Sequence, residues 1–139
     1  MTLNFKYKVV TRPNGTTSKT PSIPIILSGK ERFETMGLLD SGADVSAIPQ
    51  AVAEILGLDL NGKKEHADGI GGRVECIETK IIMMLEKGHE HYSFTIPVKV
   101  ILGDYDFPIL LGRTGFFNKF IISFNEKDEK VTLKWNERR

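Results

Sequence analysis

Turn-forming residues recur at short intervals along this chain, and runs rich in β-branched residues lie between them. That rhythm constrains the fold more than any other feature, and it suits an all-β domain carrying short helical pieces. Phe5–Thr11 alternates well enough for a strand. Arg12-Pro-Asn-Gly-Thr-Thr after it reads as a turn, since Asn14-Gly15 favours positive φ. Ile23–Leu27 and Phe33–Leu39 flank Ser28-Gly29-Lys30-Glu31 and read as a hairpin. Arg73–Leu85 is mostly strand, and Gly88 turns it into a further extended run, Tyr92–Leu102. Phe120–Phe124 and Val131–Trp135 close the chain around a charged turn. Pro49–Leu56 is the clearest helix: proline fits its first turn, Val52, Ile55 and Leu56 share a face, and Gly57 ends it. Thr114 is placed to cap a second short helix with Phe116, Phe117 and Phe120 facing inward. No internal repeat or boundary stands out, so residues 1–139 are expected to form a single domain.

Charge excludes some functions. Nineteen basic against eighteen acidic residues give no polyanion-binding signature, so nucleic acid is not an expected partner. No apolar run approaches the roughly 20 residues needed to span a bilayer, and no membrane partner is expected. The opening residues lack the continuous apolar core of a secretory signal. Cys76 is the only cysteine, so no internal disulfide forms, which fits a reducing compartment; a cytoplasmic location is expected.

The segment that carries chemistry is Leu38-Leu39-Asp40-Ser41-Gly42-Ala43-Asp44. An apolar strand runs straight into an aspartate, followed by a small hydroxyl residue, glycine and alanine. A carboxylate at the end of a buried strand is costly unless it is hydrogen-bonded or put to use. The plain reading is a strand followed by an Asx or serine turn.

The wider context adds a second reading. Leu38 to Ala43, followed by Ser46-Ala47-Ile48-Pro49, resembles the active-site loop of the retropepsin family of single-domain aspartic proteases. Asp68-Gly69-Ile70-Gly71-Gly72 resembles the glycine-rich tip of that family's flap hairpin. Ile109-Leu110-Leu111-Gly112-Arg113 resembles its pair of hydrophobics followed by glycine and arginine. The motifs come in the family's order between about Ile23 and Phe120, and the tail from Ile121 looks like the extra terminal hairpin of cellular relatives. The resemblance implies a closed, mostly antiparallel acid-protease β-barrel with a flap hairpin and one or two short helices.

It also implies roles. Asp40 matches the catalytic aspartate, Ser41 the hydroxyl that braces two loops across a two-fold axis, and Gly42 the residue that lets substrate backbone approach. The chain has one Asp-Ser-Gly, so a homodimer is implied, in which one carboxyl is ionised and acts as general base while the other is protonated and donates to the substrate carbonyl. The substrate is an extended peptide, and no cofactor or metal is required. Ala43 and Asp44 are expected to bind substrate, Asp44 through the substrate's backbone, with Asp44 also paired to Arg113; an unrelated surface ion pair is the plain alternative. Gly69, Ile70 and Gly71 form the tip of the flap, whose glycines suit positive φ. Leu38, Ala47, Ile70, Phe107, Pro108 and Leu110 are expected to wall the subsites, though any one of them reads equally well as core. Asp68 departs from the glycine that some members carry.

Other chemistries fit poorly. His89 and His91 share a strand face, but with His66 isolated no third ligand has convincing spacing for zinc. Cys76 lacks a histidine with a catalytic signature. The rival from another class is a retropepsin-like dimerisation or peptide-binding module without activity.

Overall fold

The computed structural model describes residues 2–69 and 72–136 and is built chiefly of strands. The chain begins with β1 (Thr2–Lys6), β2 (Lys8–Thr11), β3 (Thr17–Thr20), β4 (Ser22–Ser28) and β5 (Arg32–Leu39). β6 (Ser46–Pro49) runs directly into α1 (Gln50–Ile55), and β7 (Lys64–Gly69), β8 (Gly72–Lys87) and β9 (Glu90–Ile101) follow. β10 (Ile109–Leu111), a single 3-10 turn (Phe117–Lys119), β11 (Phe120–Asn125) and β12 (Lys130–Trp135) complete it.

Seven strands form one sheet in the order β4-β5-β10-β6-β9-β8-β7. β4 also pairs with β8, Ile26–Ser28 against Met84–Ile82, so the sheet turns back on itself. Only β5–β10 and β6–β9 are parallel; the other pairings in this sheet are antiparallel. β1, β12 and β11 form a second, smaller sheet, and β2 and β3 a separate hairpin. The all-β reading with few helices therefore holds.

Alternation explains the core. Ile23, Ile25 and Leu27 of β4 face inward, as do Ile81, Met83 and Leu85 of β8 and Ile96, Val98 and Val100 of β9. Leu3 and Phe5 of β1 and Val131 and Leu133 of β12 supply the inner face of the small sheet. An aromatic group seats that sheet on β9: Tyr92 stacks on Trp135 with ring centroids 4.9 Å apart, and Phe120 meets Phe116 at 5.3 Å. Cys76 is buried, and burial pushes its thiol pKa up, which keeps it protonated and inert.

Local departures from the sequence reading have physical causes. Phe5–Thr11 is two strands broken at Tyr7, where the chain leaves one sheet for another. Tyr7 is buried there; its N–H donates to Glu129 O and its hydroxyl to Glu126 Oε1. Pro49 is the extended end of β6 and stands at the N-cap position of α1, without a side-chain capping bond, rather than in the first turn. The helix buries Ala53 and Leu56, with Val52 half-buried, whereas Ile55 is 48% exposed. Thr114 does not cap the second helix. Its backbone forms a parallel bridge with Val45, and the Asn118 side chain accepts from Gly115 N–H instead. The helix shrinks to a 3-10 turn, with Phe116 and Phe120 buried and Phe117 half-buried.

Phe116→Ala is expected to cost about 3–5 kcal/mol in urea unfolding, as a large aromatic deleted from a packed core. Ile121, 56% exposed on β11, serves as the comparison; Ile121→Ala should fall within about 0.5 kcal/mol of the wild type. Equal losses at both positions would refute this account of the core.

Candidate active site

Asp40 stands where β5 ends. The strand sends Leu39 into the core and leaves Leu38 half-buried on the opposite face, so Asp40, two residues on, belongs to the Leu38 side. Its backbone stays in the ladder, with N–H donating to Leu111 O at 3.0 Å. The chain then turns: Ala43 N–H donates to Asp40 O at 3.1 Å, and Gly42 N–H donates to Asp40 Oδ1 at 2.9 Å. This is the Asx turn of the plain reading. It occupies one carboxylate oxygen; among the described residues, no side chain pairs with the half-buried Asp40. Ser41 and Gly42 are exposed beside it.

The next residues are tied to the segment after β10. Arg113 N–H donates to Ala43 O at 2.9 Å and Thr114 N–H to Asp44 O at 2.8 Å. Gly112 N–H donates to the buried Ser46 hydroxyl at 3.0 Å. Gly112 has no substitute here, since a Cβ at that position would lie 2.6 Å from the Val45 carbonyl carbon. The Asp44–Arg113 ion pair is present, between side chains 79% and 56% exposed. At that exposure it is worth about 0–1 kcal/mol.

Register gathers three of the candidate wall residues. Leu110 lies opposite Leu38 on β5 and opposite Ala47 on β6. Leu38, Leu110 and Ala47 thus form one row across three adjacent strands, each half-buried, while Leu39, Leu111 and Ile48 beside them point into the core. Phe107 and Pro108 join Leu38 in lining a cavity of about 640 Å³. Val9, Val10 and Tyr105 also line it, all exposed, with Lys8, Asp104 and Asp106 as its charges. Strand alternation gave no sign of that role, because these residues sit on a projecting hairpin and a connecting loop.

The hairpin of β7 and β8 closes on Gly69 opposite Gly72; Ile70 and Gly71 lie outside the described residues. Its outer part is exposed along both strands, with only Ala67 and Val74, a cross-strand pair, half-buried. Asp68 faces Arg73 across the strands at 3.6 Å, so the residue that departs from glycine has an opposite charge as its neighbour. His91 lies 3.3 Å from Glu86, its own cross-strand partner. A second cavity, of about 710 Å³, is lined by none of the expected site residues.

Comparison with family models and with curated proteins returned no match. Among solved structures, the chain is similar to a retropepsin-like aspartic protease from Rickettsia conorii, at a TM-score of 0.58 and 18% identity, covering 96% of this chain and 91% of that one. The protein has a retropepsin-like fold. EIAV protease in complex with an inhibitor also matches, at a TM-score of 0.46 and 26% identity over 68% of this chain and 83% of that one.

Within this retropepsin-like fold, the Asp40 loop depends on the contact between β6 and the end of β10. Gly112→Ala is expected to destabilise by about 1–3 kcal/mol through overpacking. Ser46→Ala should cost about 1–3 kcal/mol by leaving the Gly112 N–H buried without an acceptor. Urea midpoints check both, and wild-type stability in either variant would remove this contact from the account.

Proposed function

We propose that the protein is an aspartic endopeptidase, active as a homodimer in which two Asp40 carboxylates hold and activate one water. The observation that carries this reading is the Asp40 loop: a carboxylate at the end of a core strand, with one oxygen held by the Gly42 N–H and no side-chain partner among the described residues. A carboxylate at the end of a core strand is costly unless its oxygens are hydrogen-bonded or put to use, and only one of the two is bonded here among the described residues. The likeness in fold to a retropepsin-like aspartic protease supports the same reading.

Each chain supplies one such carboxylate, so the second comes from a second copy, across a two-fold axis where the same surface meets itself. Two carboxyls pressed together share a proton, because both cannot be charged cheaply at that distance. The ionised one takes a proton from the water as the water attacks the peptide carbonyl carbon; the protonated one donates to the carbonyl oxygen. Collapse of the tetrahedral species then releases the amine and the acid. Ser41 braces the two loops. The Leu38–Leu110–Ala47 row, with Phe107 and Pro108, receives apolar side chains of the substrate, and Ala43 and Asp44 meet its backbone. The β7–β8 hairpin closes over the extended peptide as a flap. The reaction needs no cofactor.

Asp40→Asn should lower peptide cleavage by about a thousandfold or more while leaving the urea midpoint near wild type. The wild-type rate should follow a bell in pH, on the acid side of neutrality, because the pair works only while it holds a single proton. Full activity in Asp40→Asn, or a rate that climbs steadily into alkaline pH, would remove the carboxylate mechanism. Specific activity should also fall on dilution below the dimer dissociation constant, and an excess of exchanged Asp40→Asn chains should poison the wild type. Flat specific activity where sedimentation finds only monomer would refute the shared site. Dimers that cleave no member of a peptide library would favour the inactive binding module.

A further inference from the structure

The 710 Å³ cavity lies at the free edge of β1, against the end of β8 and Pro24 of β4. Four lysines line it: Lys6, Lys8, Lys87 and Lys130. The chain as a whole carries a formal charge of only +1, so this concentration is local and not a reflection of composition. Glu86 is the one acidic residue of the lining, and it already faces His91 at 3.3 Å. Among the described residues, Lys6, Lys8 and Lys130 have no acidic partner. Lys6 and Lys130 are, moreover, directly opposed in the β1–β12 register. Like charges placed so are destabilising in the free protein, and a bound anion relieves the repulsion.

Backbone groups add a second recognition element. Tyr7 N–H donates to Glu129 O on the β12 side. Bonding groups alternate sides along an antiparallel strand, so those of Asn4 and Lys6 face away from β12, toward the cavity. Asn4 O indeed accepts from the Lys87 ammonium, which also lies 4.5 Å over the Phe5 ring. The cavity therefore combines a strand edge that no second strand pairs among the described residues, with Asn4 O taken by Lys87, an apolar surface at Pro24 and Phe5, and ammonium groups spread over several elements.

We infer that this cavity binds an acidic segment of a polypeptide in extended form, pairing with β1 and setting carboxylates against Lys6, Lys8 and Lys130. An extended chain presents alternate side chains to one face, so several carboxylates meet several lysines at once. A lone phosphate reaches too few of them and leaves most of the cavity unfilled. Lys8 lines both this cavity and the one beside Leu38, and Ser22 and Pro24, two residues apart on β4, line one each. The acidic segment accordingly lies on the substrate itself, to one side of the apolar residues at the cut; this last step rests on the proposed function, whereas the site does not.

The test uses the full chain carrying Asp40→Asn, so that no cleavage interferes, and a fluorescein-labelled peptide of alternating glutamate and valine, with a glutamine-for-glutamate version as control. Anisotropy should show the glutamate peptide binding about tenfold or more tightly than the glutamine one, and binding should weaken as salt is raised. Lys130→Glu should weaken glutamate-peptide binding by about tenfold. Its melting temperature should stay level or rise, because Lys6 then gains an opposite charge as neighbour; Lys8→Glu gives a second variant away from that pair. Equal affinity for both peptides, or unchanged binding in both variants, would overturn the assignment. So would displacement by inorganic phosphate as effective as by unlabelled peptide, or tighter binding of a single-stranded oligonucleotide. Wild-type protein that cleaves nothing, with the peptide still bound by Asp40→Asn, would count against the proposed function and leave this site standing.

Discussion

The approach of Gly112 to the Val45–Ser46 peptide is the contact on which the site depends. Only a residue without a Cβ fits there, and the Ser46 hydroxyl takes up the Gly112 N–H at 3.0 Å. With that contact made, the bonds from Asp40, Arg113 and Thr114 N–H to Leu111, Ala43 and Asp44 O fall into line. Magnitudes decide what holds the loop. The Asp44–Arg113 pair is largely exposed and contributes about 0–1 kcal/mol. Four hydrogen bonds at about 0.5–1.5 kcal/mol each exceed it together. The backbone positions Asp40, and the ion pair between the loops is left to tune orientation.

Much of this was legible in the sequence for a simple reason: strand alternation and turn chemistry are local. Ile23–Leu27, Phe33–Leu39 and Tyr92–Leu102 each show their period within a few residues, and each is a strand. The Asp40 turn was legible too, since an Asp two residues before a glycine makes its own hydrogen bond without outside help. What escaped is non-local. Leu38, Ala47 and Leu110 could be singled out one at a time, but their row exists only through pairing among β5, β10 and β6. Ser46 gave no sign that its hydroxyl serves Gly112, 66 positions away. Ile55 failed because a six-residue helix has too few turns for periodicity to say which side meets the core. Thr114 looked like a cap, but the bridge to Val45 claimed its backbone first.

The two cavities divide the surface by chemistry. The one beside Leu38 is walled by Phe107, Pro108, Val9 and Val10, with charge confined to Lys8, Asp104 and Asp106. The other is a lysine basin at the edge of β1. Edge strands are commonly guarded by lysine, which discourages uncontrolled pairing with other chains. Lys87, bonded to Asn4 O, fits that protective role. Lys6 opposed to Lys130 does not, because a guard needs only one charge and the pair costs stability. A protective edge and a selective one are made of the same residues; the added cost is what separates them.

On the dimeric reading, association and protonation become one equilibrium. A single Asp40 loop is complete as a turn, with Oδ1 bonded to Gly42 N–H and the residue half-open to solvent, so a lone chain has no need of a shared proton. Bringing two such loops together removes water from both carboxyls and sets like charge against like, which is tolerable only when one proton is retained between them. The proton that makes the pair catalytic is therefore the proton that makes the pair stable. On that reading, the contact between the loops and the chemistry depend on the same retained proton. On the same reading, the surfaces around the loops must supply enough favourable contact to offset the desolvation, and Ser41, next to Asp40 in the chain and exposed, carries a hydroxyl suited to bond from one loop to the other.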